Sequence, residues 1–208
     1  MSKSTLTISS DKKVLDYLKQ GVDAISIPVS RTLGPEAKTT LMYRTYNRGP
    51  RNADDGFWTS EPILPKNPFI RLVAEFFKEA IQKTNRKVGD GTSGTSSVAS
   101  SLFNEIYAKL QAKSSGYSSG KSESKGVMQL KKEILAEAKT VKEQITAVAK
   151  PIKTDEEIRQ VANISAESLE LGTIIADTIK KVGKDGVVTV EESQTIGLES
   201  EVTEGIDF

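Results

Sequence analysis

The residues best suited to chemistry lie in one short run, Val88-Gly89-Asp90-Gly91-Thr92-Ser93-Gly94-Thr95-Ser96-Ser97. Glycines let a chain turn sharply and bring its backbone against a ligand. Thr92, Ser93, Thr95 and Ser96 can cap a helix whose free amides point at an anion. Asp90 conflicts with that picture, because a carboxylate beside a phosphate repels it unless a cation lies between them. The run therefore points to a magnesium nucleotide site, against the plainer reading of a turn between two helices. The GxxxxGK[ST] P-loop is excluded, since no lysine occurs from Val88 to Ser101.

Two other places admit a similar pair of readings. Arg31-Thr32-Leu33-Gly34-Pro35 is either a helix stop with a glycine cap and a proline beyond it, or a tight turn whose backbone approaches a phosphate. Asp54-Asp55-Gly56 is a surface turn, unless the fold brings it near Asp90. Two or three carboxylates around a phosphate-bound cation can hold the metal and position water.

The elements that must position these residues are mostly helical. Val14, Leu15, Leu18, Val22, Ile25 and Val29 recur at three and four residues behind a Ser10 or Asp11 cap, with Pro28 placed to kink or fray the end. Phe69 to Val88 presents Leu72, Val73, Phe76, Phe77, Ala80 and Ile81 as one apolar face. The next helix, Thr92 to Lys113, carries a stripe of Val98, Leu102, Ile106 and Leu110, widened by Phe103 and Tyr107. Glu123 to Lys150 reads as a helix about 40 Å long with Val127, Leu130, Ile134, Ala138, Val141, Ile145 and Val148 inward. Residues 113–124 are a linker or a short connection between packed helices. Strand-like segments are expected at Thr5–Ile8, Thr39–Tyr46, Val187–Glu191 and Leu198–Val202.

Pro151 marks the domain boundary. Beyond it Thr154-Asp155-Glu156-Glu157 is a capping box opening a helix to about Asn163, and a second helix follows with Leu169, Ile174, Ile175 and Ile179 inward. The charge also changes sign there: residues 155–208 carry 13 acids and 4 bases, within a chain of 208 residues whose net charge is +1. The basic first part suits nucleotide or nucleic-acid phosphate, but its lysines between 121 and 142 alternate with glutamates at helical spacings, as on a solvated face, which argues against polynucleotide. With no cysteine and no histidine, disulfides, thiol chemistry, a histidine base and Cys/His metal sites are all excluded. Any metal must be a hard ion on oxygen ligands. The amino terminus lacks an apolar signal region and no run reaches membrane-spanning length, so a cytoplasmic protein is the default expectation.

In order, Thr32-Leu33-Gly34-Pro35, Asp55-Gly56, Gly89-Asp90-Gly91-Thr92, Asn163-Ile164-Ser165-Ala166, residues 181–191 and Glu204-Gly205-Ile206-Asp207-Phe208 resemble the N-terminal portion of a group I chaperonin. The resemblance runs almost end to end over this chain but covers only the first part of a family member, and the end at Phe208, without a closing element, reads as a truncation. It implies a mainly α equatorial-type domain half with short β segments over residues 1–150. A small α/β intermediate-domain leg over 151–208 would follow, with the apical domain absent.

The resemblance also implies ATP and Mg²⁺ as cofactors and a homo-oligomeric ring, heptameric by resemblance. Non-native client proteins and a co-chaperonin would engage through the apical domain. It carries the nucleotide set onto Thr32, Leu33, Gly34, Pro35, Asp55, Gly89, Asp90, Gly91, Thr92, Ser93 and Thr95. Asp90 becomes the magnesium ligand and Asp55 the catalytic acidic group near the γ-phosphate. The water-orienting carboxylate and the base-binding residues would come from later segments of the family chain, so little or no turnover is expected of these 208 residues alone.

Three departures bear on nucleotide affinity: Glu36-Ala37 where a basic residue and glycine are usual, Ala53-Asp54 ahead of Asp55, and Gly94 in the run after Gly91. The rival readings are a non-enzymatic assembly or interaction module with chaperonin-like surfaces, and an unrelated helical nucleic-acid-binding protein.

Overall fold

The computed structural model describes residues 12–42, 49–114, 127–183, 186–191, 197–203 and 205. The expected strand at Thr5–Ile8, the chaperonin-like end at 204–208 apart from Gly205, and most of the 113–124 connection lie outside them. Two compact units divide the chain, Met1–Lys121 and Ser122–Phe208.

In the first unit, α1 spans Lys12–Ser30 and buries Val22, Ile25 and Val29 on one face. Pro28 lies inside its last turn and has no N–H to donate to the Ala24 carbonyl, yet the helix runs through it and then tightens. The amides of Arg31, Thr32 and Leu33 bond three residues back, to Pro28, Val29 and Ser30. A two-stranded antiparallel sheet follows, β1 (Thr40–Met42) on β2 (Arg51–Ala53), with Leu41 opposite Asn52. Only Thr40–Met42 of the anticipated Thr39–Tyr46 segment is a described strand.

Next comes α2 (Gly56–Ser60), a single turn capped by Asp55, and then α3 (Pro68–Val88), capped by the Asn67 side chain with Pro68 in its first turn. Gly89, at φ 78°, ends α3 in the left-handed conformation that glycine adopts without a Cβ penalty. The last helix of the unit, α4, spans Thr92–Ser114. Ile25, Val29, Ala74 and Ile81 form the core, with Phe57, Ile63 and Phe77 packed against it, and Tyr17 stacks on Phe69 at 5.3 Å to join α1 to α3.

The inward faces of α3 and α4 differ from the sequence expectation. Val73, Ala74, Lys78 and Ile81 are buried on α3, whereas Leu72 and Ala80 are exposed and Phe76 is 76% exposed. On α4 the buried positions are Thr92 and Ser96, while Val98 and Leu102 face outward. A close helix contact selects small residues: a Cβ on Gly21 of α1 would sit 2.5 Å from the Val73 Cβ. The apolar positions alone therefore do not identify the buried face of either helix.

In the second unit, α5 (Val127–Val148) has Leu130 and Ile134 half-buried, but from Leu135 to Val148 its anticipated inward stripe stays exposed. A helix roughly 33 Å long buries its stripe only where another element lies along it. The pair α6 (Asp155–Ala166) and α7 (Leu169–Val182) is better built. Thr154 and Glu157 form the capping box read from sequence, Ser168 caps α7, and Gly172 lies so close to Asn163 that a Cβ would stand 2.5 Å from the Asn163 Cα. Ala162 and Ala176 are buried and Ile174, Ile175 and Ile179 half-buried, whereas Leu169, expected inward, is exposed.

The expected strands at Val187–Glu191 and Leu198–Val202 form no ladder among the described residues. Their alternating pattern satisfies strand propensity, but propensity without a hydrogen-bonded neighbour makes no sheet. Parts of both segments line a cleft of about 200 Å³ with Leu171, Ile174 and Ile175 of α7. Among the described residues, no helix is long and apolar enough to cross a membrane.

Candidate nucleotide site

Three segments distant in sequence meet where α1 ends and α4 begins. The Thr32 hydroxyl donates to the Val29 carbonyl at 2.8 Å and lies 2.8 Å from the Ser93 hydroxyl. A hydroxyl has one proton, so Ser93 is the donor of that second bond and Thr32 its acceptor. The turn at Leu33-Gly34-Pro35, with Gly34 at φ 93°, is closed by the Lys38 amide on the Arg31 carbonyl and is therefore tied to the start of α4. Leu33, Gly34 and Pro35 are all exposed.

Asp55 joins the same place. One carboxylate oxygen accepts from the Phe57 and Trp58 amides at 2.9 and 3.2 Å, capping α2, and the other accepts from the Thr92 hydroxyl at 2.7 Å. Thr92 is 2% exposed, so this bond is an internal tie between α2 and α4. Gly56 explains how the two approach so closely: a Cβ there would fall 2.7 Å from the Ser93 amide nitrogen and 2.9 Å from its Cα. Asp54 is exposed.

Between α3 and α4, Gly89 and Gly91 have φ 78° and 79°, with open space where a Cβ would be, so backbone conformation requires glycine at both. They turn Asp90 to the surface, where its carboxylate accepts from the Gly91 amide. Thr95 lies deeper: its hydroxyl is 3.0 Å from that of Thr84, which itself donates to the Ala80 carbonyl.

The hydroxyls of Thr92, Ser93 and Thr95 thus spend their protons on protein partners. What faces outward is the Gly34 turn and the Gly89-Asp90-Gly91 turn, just ahead of the first amides of α4, which lack intrahelical acceptors. Among the described residues no group of three or more carboxylates surrounds a metal position. A single accessible carboxylate fits Mg²⁺, which keeps waters and takes one or two protein carboxylates together with substrate phosphates.

Sequence brings Thr32 to Pro35, Asp55 and Gly89 to Thr95 to one place by resemblance alone, and it leaves two residues there unmarked. Gly56 reads only as part of a motif, although its neighbour Ser93 requires it to lack a side chain. Lys78 carries no local signal as a charged residue on a helix, although it lies four residues after Ala74 and three before Ile81, within the buried stripe.

No protein-family model matches the chain. Its fold is similar to that of the chaperonin gp146 from bacteriophage EL 2 (Pseudomonas aeruginosa), crystallised in the presence of ATP-BeFx. One crystal form matches with a TM-score of 0.62 at 20% identity, over 80% of this chain and 27% of that one. A second form matches with a TM-score of 0.64 at 18% identity, over 82% and 28% respectively. The chain spans little more than a quarter of that chaperonin's length. A mainly helical unit with a small antiparallel sheet, followed by a helical pair and with no β-rich apical-type region among the described residues, gives this chain the fold of the equatorial and intermediate parts of a chaperonin subunit.

Proposed function

We propose that this chain belongs to an ATP-dependent protein-folding chaperonin subunit and supplies part of its Mg-ATP site. The supporting observation is the assembly of Thr32, Asp55, Thr92 and Ser93 by hydrogen bonds across 61 and 37 residues of sequence, beside an exposed Asp90. In this reading the exposed turns at Gly34 and Asp90 lie against the phosphates and Asp90 holds the ion. Asp55, fixed by three donors, presents a carboxylate at the edge of the phosphates. Bound magnesium supplies charge neutralisation and polarisation of the γ-phosphoryl group.

Residues 1–150 are assigned to the equatorial domain and 151–208 to the intermediate leg, although the compact units divide at Lys121. Ring assembly, a co-chaperonin and non-native clients are proposed for the whole subunit. The 208 residues alone are proposed to hold nucleotide with little or no turnover.

Titration of the chain with Mg-ADP and Mg-ATP, read by calorimetry, tests the site. We expect saturable binding that EDTA weakens and that Asp90→Asn weakens about tenfold, roughly 1.4 kcal/mol, with no loss of thermal stability. Binding that ignores both EDTA and Asp90→Asn would refute Asp90 as the ion's ligand. A folded chain that binds neither nucleotide would overturn the proposal that these 208 residues hold nucleotide by themselves.

A further inference from the structure

We propose that Lys78 is a positioning residue for Asp55, holding the far end of α2 so that the Asp55 carboxylate stays at the nucleotide site; this rests on the nucleotide reading above. Lys78 is only 3% exposed, in the buried stripe of α3. A lysine so deep costs stability unless its ammonium is matched, and an apolar residue of similar size would pack there without that cost. Its presence calls for something the charge does.

Its ammonium donates to the Glu61 carbonyl at 3.1 Å and to the Glu75 carboxylate at 3.1 Å. Glu61 is the C-cap of α2. Its carbonyl is one of the orphan acceptors at a helix end, and the amide four residues on that would ordinarily reach back belongs to Pro65, which has no N–H. Lys78 supplies that missing donor as a cation, at the negative end of the helix.

A helix of five residues does not hold itself together, so α2 depends on its two ends. At one end Asp55 bonds to the Phe57 and Trp58 amides and the Thr92 hydroxyl; at the other the Glu61 carbonyl bonds to Lys78. Lys78 also belongs to α3, whose C-terminal cap leads directly into Asp90. One side chain thereby fastens the element bearing Asp55 to the element bearing Asp90. It adds, at the far end of α2, a second tie beyond the Asp55–Thr92 bond at the near end.

The test uses the 208-residue chain, Mg-ADP and the fluorescence of Trp58, the single tryptophan, which lies on α2 itself. Lys78→Met should lower Mg-ADP affinity about tenfold and raise acrylamide quenching of Trp58. Glu75→Gln should leave affinity within about twofold, since the carbonyl contact carries the positioning. Ile81→Val, in the same stripe, separates loss of position from loss of stability. It should lower the unfolding midpoint while leaving both affinity and quenching unchanged.

Unchanged affinity and quenching in Lys78→Met, or the same losses in Ile81→Val, would overturn the proposal. If Lys78→Met does not fold, Lys78→Gln, polar but too short to reach Glu61, is judged by the same two readouts. Should the parent chain bind no Mg-ADP, the nucleotide reading fails by itself, and Trp58 quenching alone decides whether Lys78 holds α2.

Discussion

Replacing Gly56 by alanine tests the contact on which the site depends. The added Cβ would lie 2.6 Å from the Ser93 Oγ, 2.7 Å from its amide nitrogen and 2.9 Å from its Cα. Ordinary contact between such atoms is about 3.5 Å or more, so α2 and α4 must separate by several tenths of an ångström. Ser93 can move its hydroxyl to another rotamer, but its backbone, in the first turn of α4, cannot step aside. Overpacking of this kind costs about 1–3 kcal/mol, and the preference of helices for alanine over glycine returns at most about 1 kcal/mol. The expected net loss is about 1–2 kcal/mol, or roughly 4–10 °C in the unfolding midpoint of a unit this size.

Gly94→Ala is the matched control. Gly94 lies one residue after Ser93 with no positive φ, and a Cβ added to it would meet nothing within 4 Å, so the same change should stabilise by about 0.5–1 kcal/mol. Thermal melts followed by Trp58 emission report this unit specifically, because Trp58 lies within it. Opposite shifts are expected. A Gly56→Ala protein melting at or above the parent would show that α2 and α4 do not touch as described, and the Asp55–Thr92 bond would lose its basis.

Three further outcomes follow from local geometry. Gly172→Ala would drive a Cβ to within 2.5 Å of the Asn163 Cα and 2.7 Å of its nitrogen, so the α6–α7 pair should lose about 1–3 kcal/mol, read by far-ultraviolet circular dichroism of the melt; an unchanged melt would contradict the close crossing. Ser96 is fully buried and its hydroxyl has no partner among the described residues, so Ser96→Ala should be neutral or stabilising by about 1 kcal/mol, and a loss beyond about 1 kcal/mol in a denaturant titration would show that the hydroxyl is satisfied. Glu157 is held below its ordinary carboxyl range first by the Lys153 amide, then by the Thr154 amide and the Lys150 ammonium. A depressed carboxylate contributes stability that is present above its unfolded value, near about 4.3, and is lost as pH falls through the folded one. Amide exchange at Lys153 and Thr154 should therefore accelerate as pH drops below about 4, after correction for intrinsic rates, and Glu157→Gln should abolish that pH dependence.

What sequence shows clearly is what local chemistry decides. The Thr154–Glu157 capping box needs only four consecutive residues, and the left-handed turns at Gly34, Gly89 and Gly91 need only the absence of a Cβ, so each is legible in the chain itself. The faces of α3 and α4 are not, because the rule that apolar residues point inward fails where helices approach closely. Val73 packs against Gly21 while Phe76 is exposed, and Thr92 and Ser96 are buried while Val98 is exposed. Lys78 defeats the same rule from the other side, since its charge hides a buried position whose partner, the Glu61 carbonyl, is visible only in three dimensions. The strands anticipated at 187–191 and 198–202 fail for a related reason, because a ladder is a property of two segments and alternation describes one.

The same distinction governs the candidate site. Hydroxyls in the Thr92–Thr95 run look, one by one, like phosphate ligands. In the fold they donate to Asp55, Thr32 and Thr84, acceptors that sequence distance conceals. Those bonds place the Gly34 turn and Asp55 against the start of α4, which no local motif could do; in the proposed site, anion recognition would fall to backbone amides and to an ion on Asp90. In the proposed site, a proton already given to Asp55 or Thr32 could be redirected to a phosphate only by breaking a bond that joins two elements, so nucleotide binding would be coupled to the packing of α1, α2 and α4 through these hydroxyls. Removing one, as in Thr92→Val, would disturb the position of Asp55 before it removed any contact to phosphate.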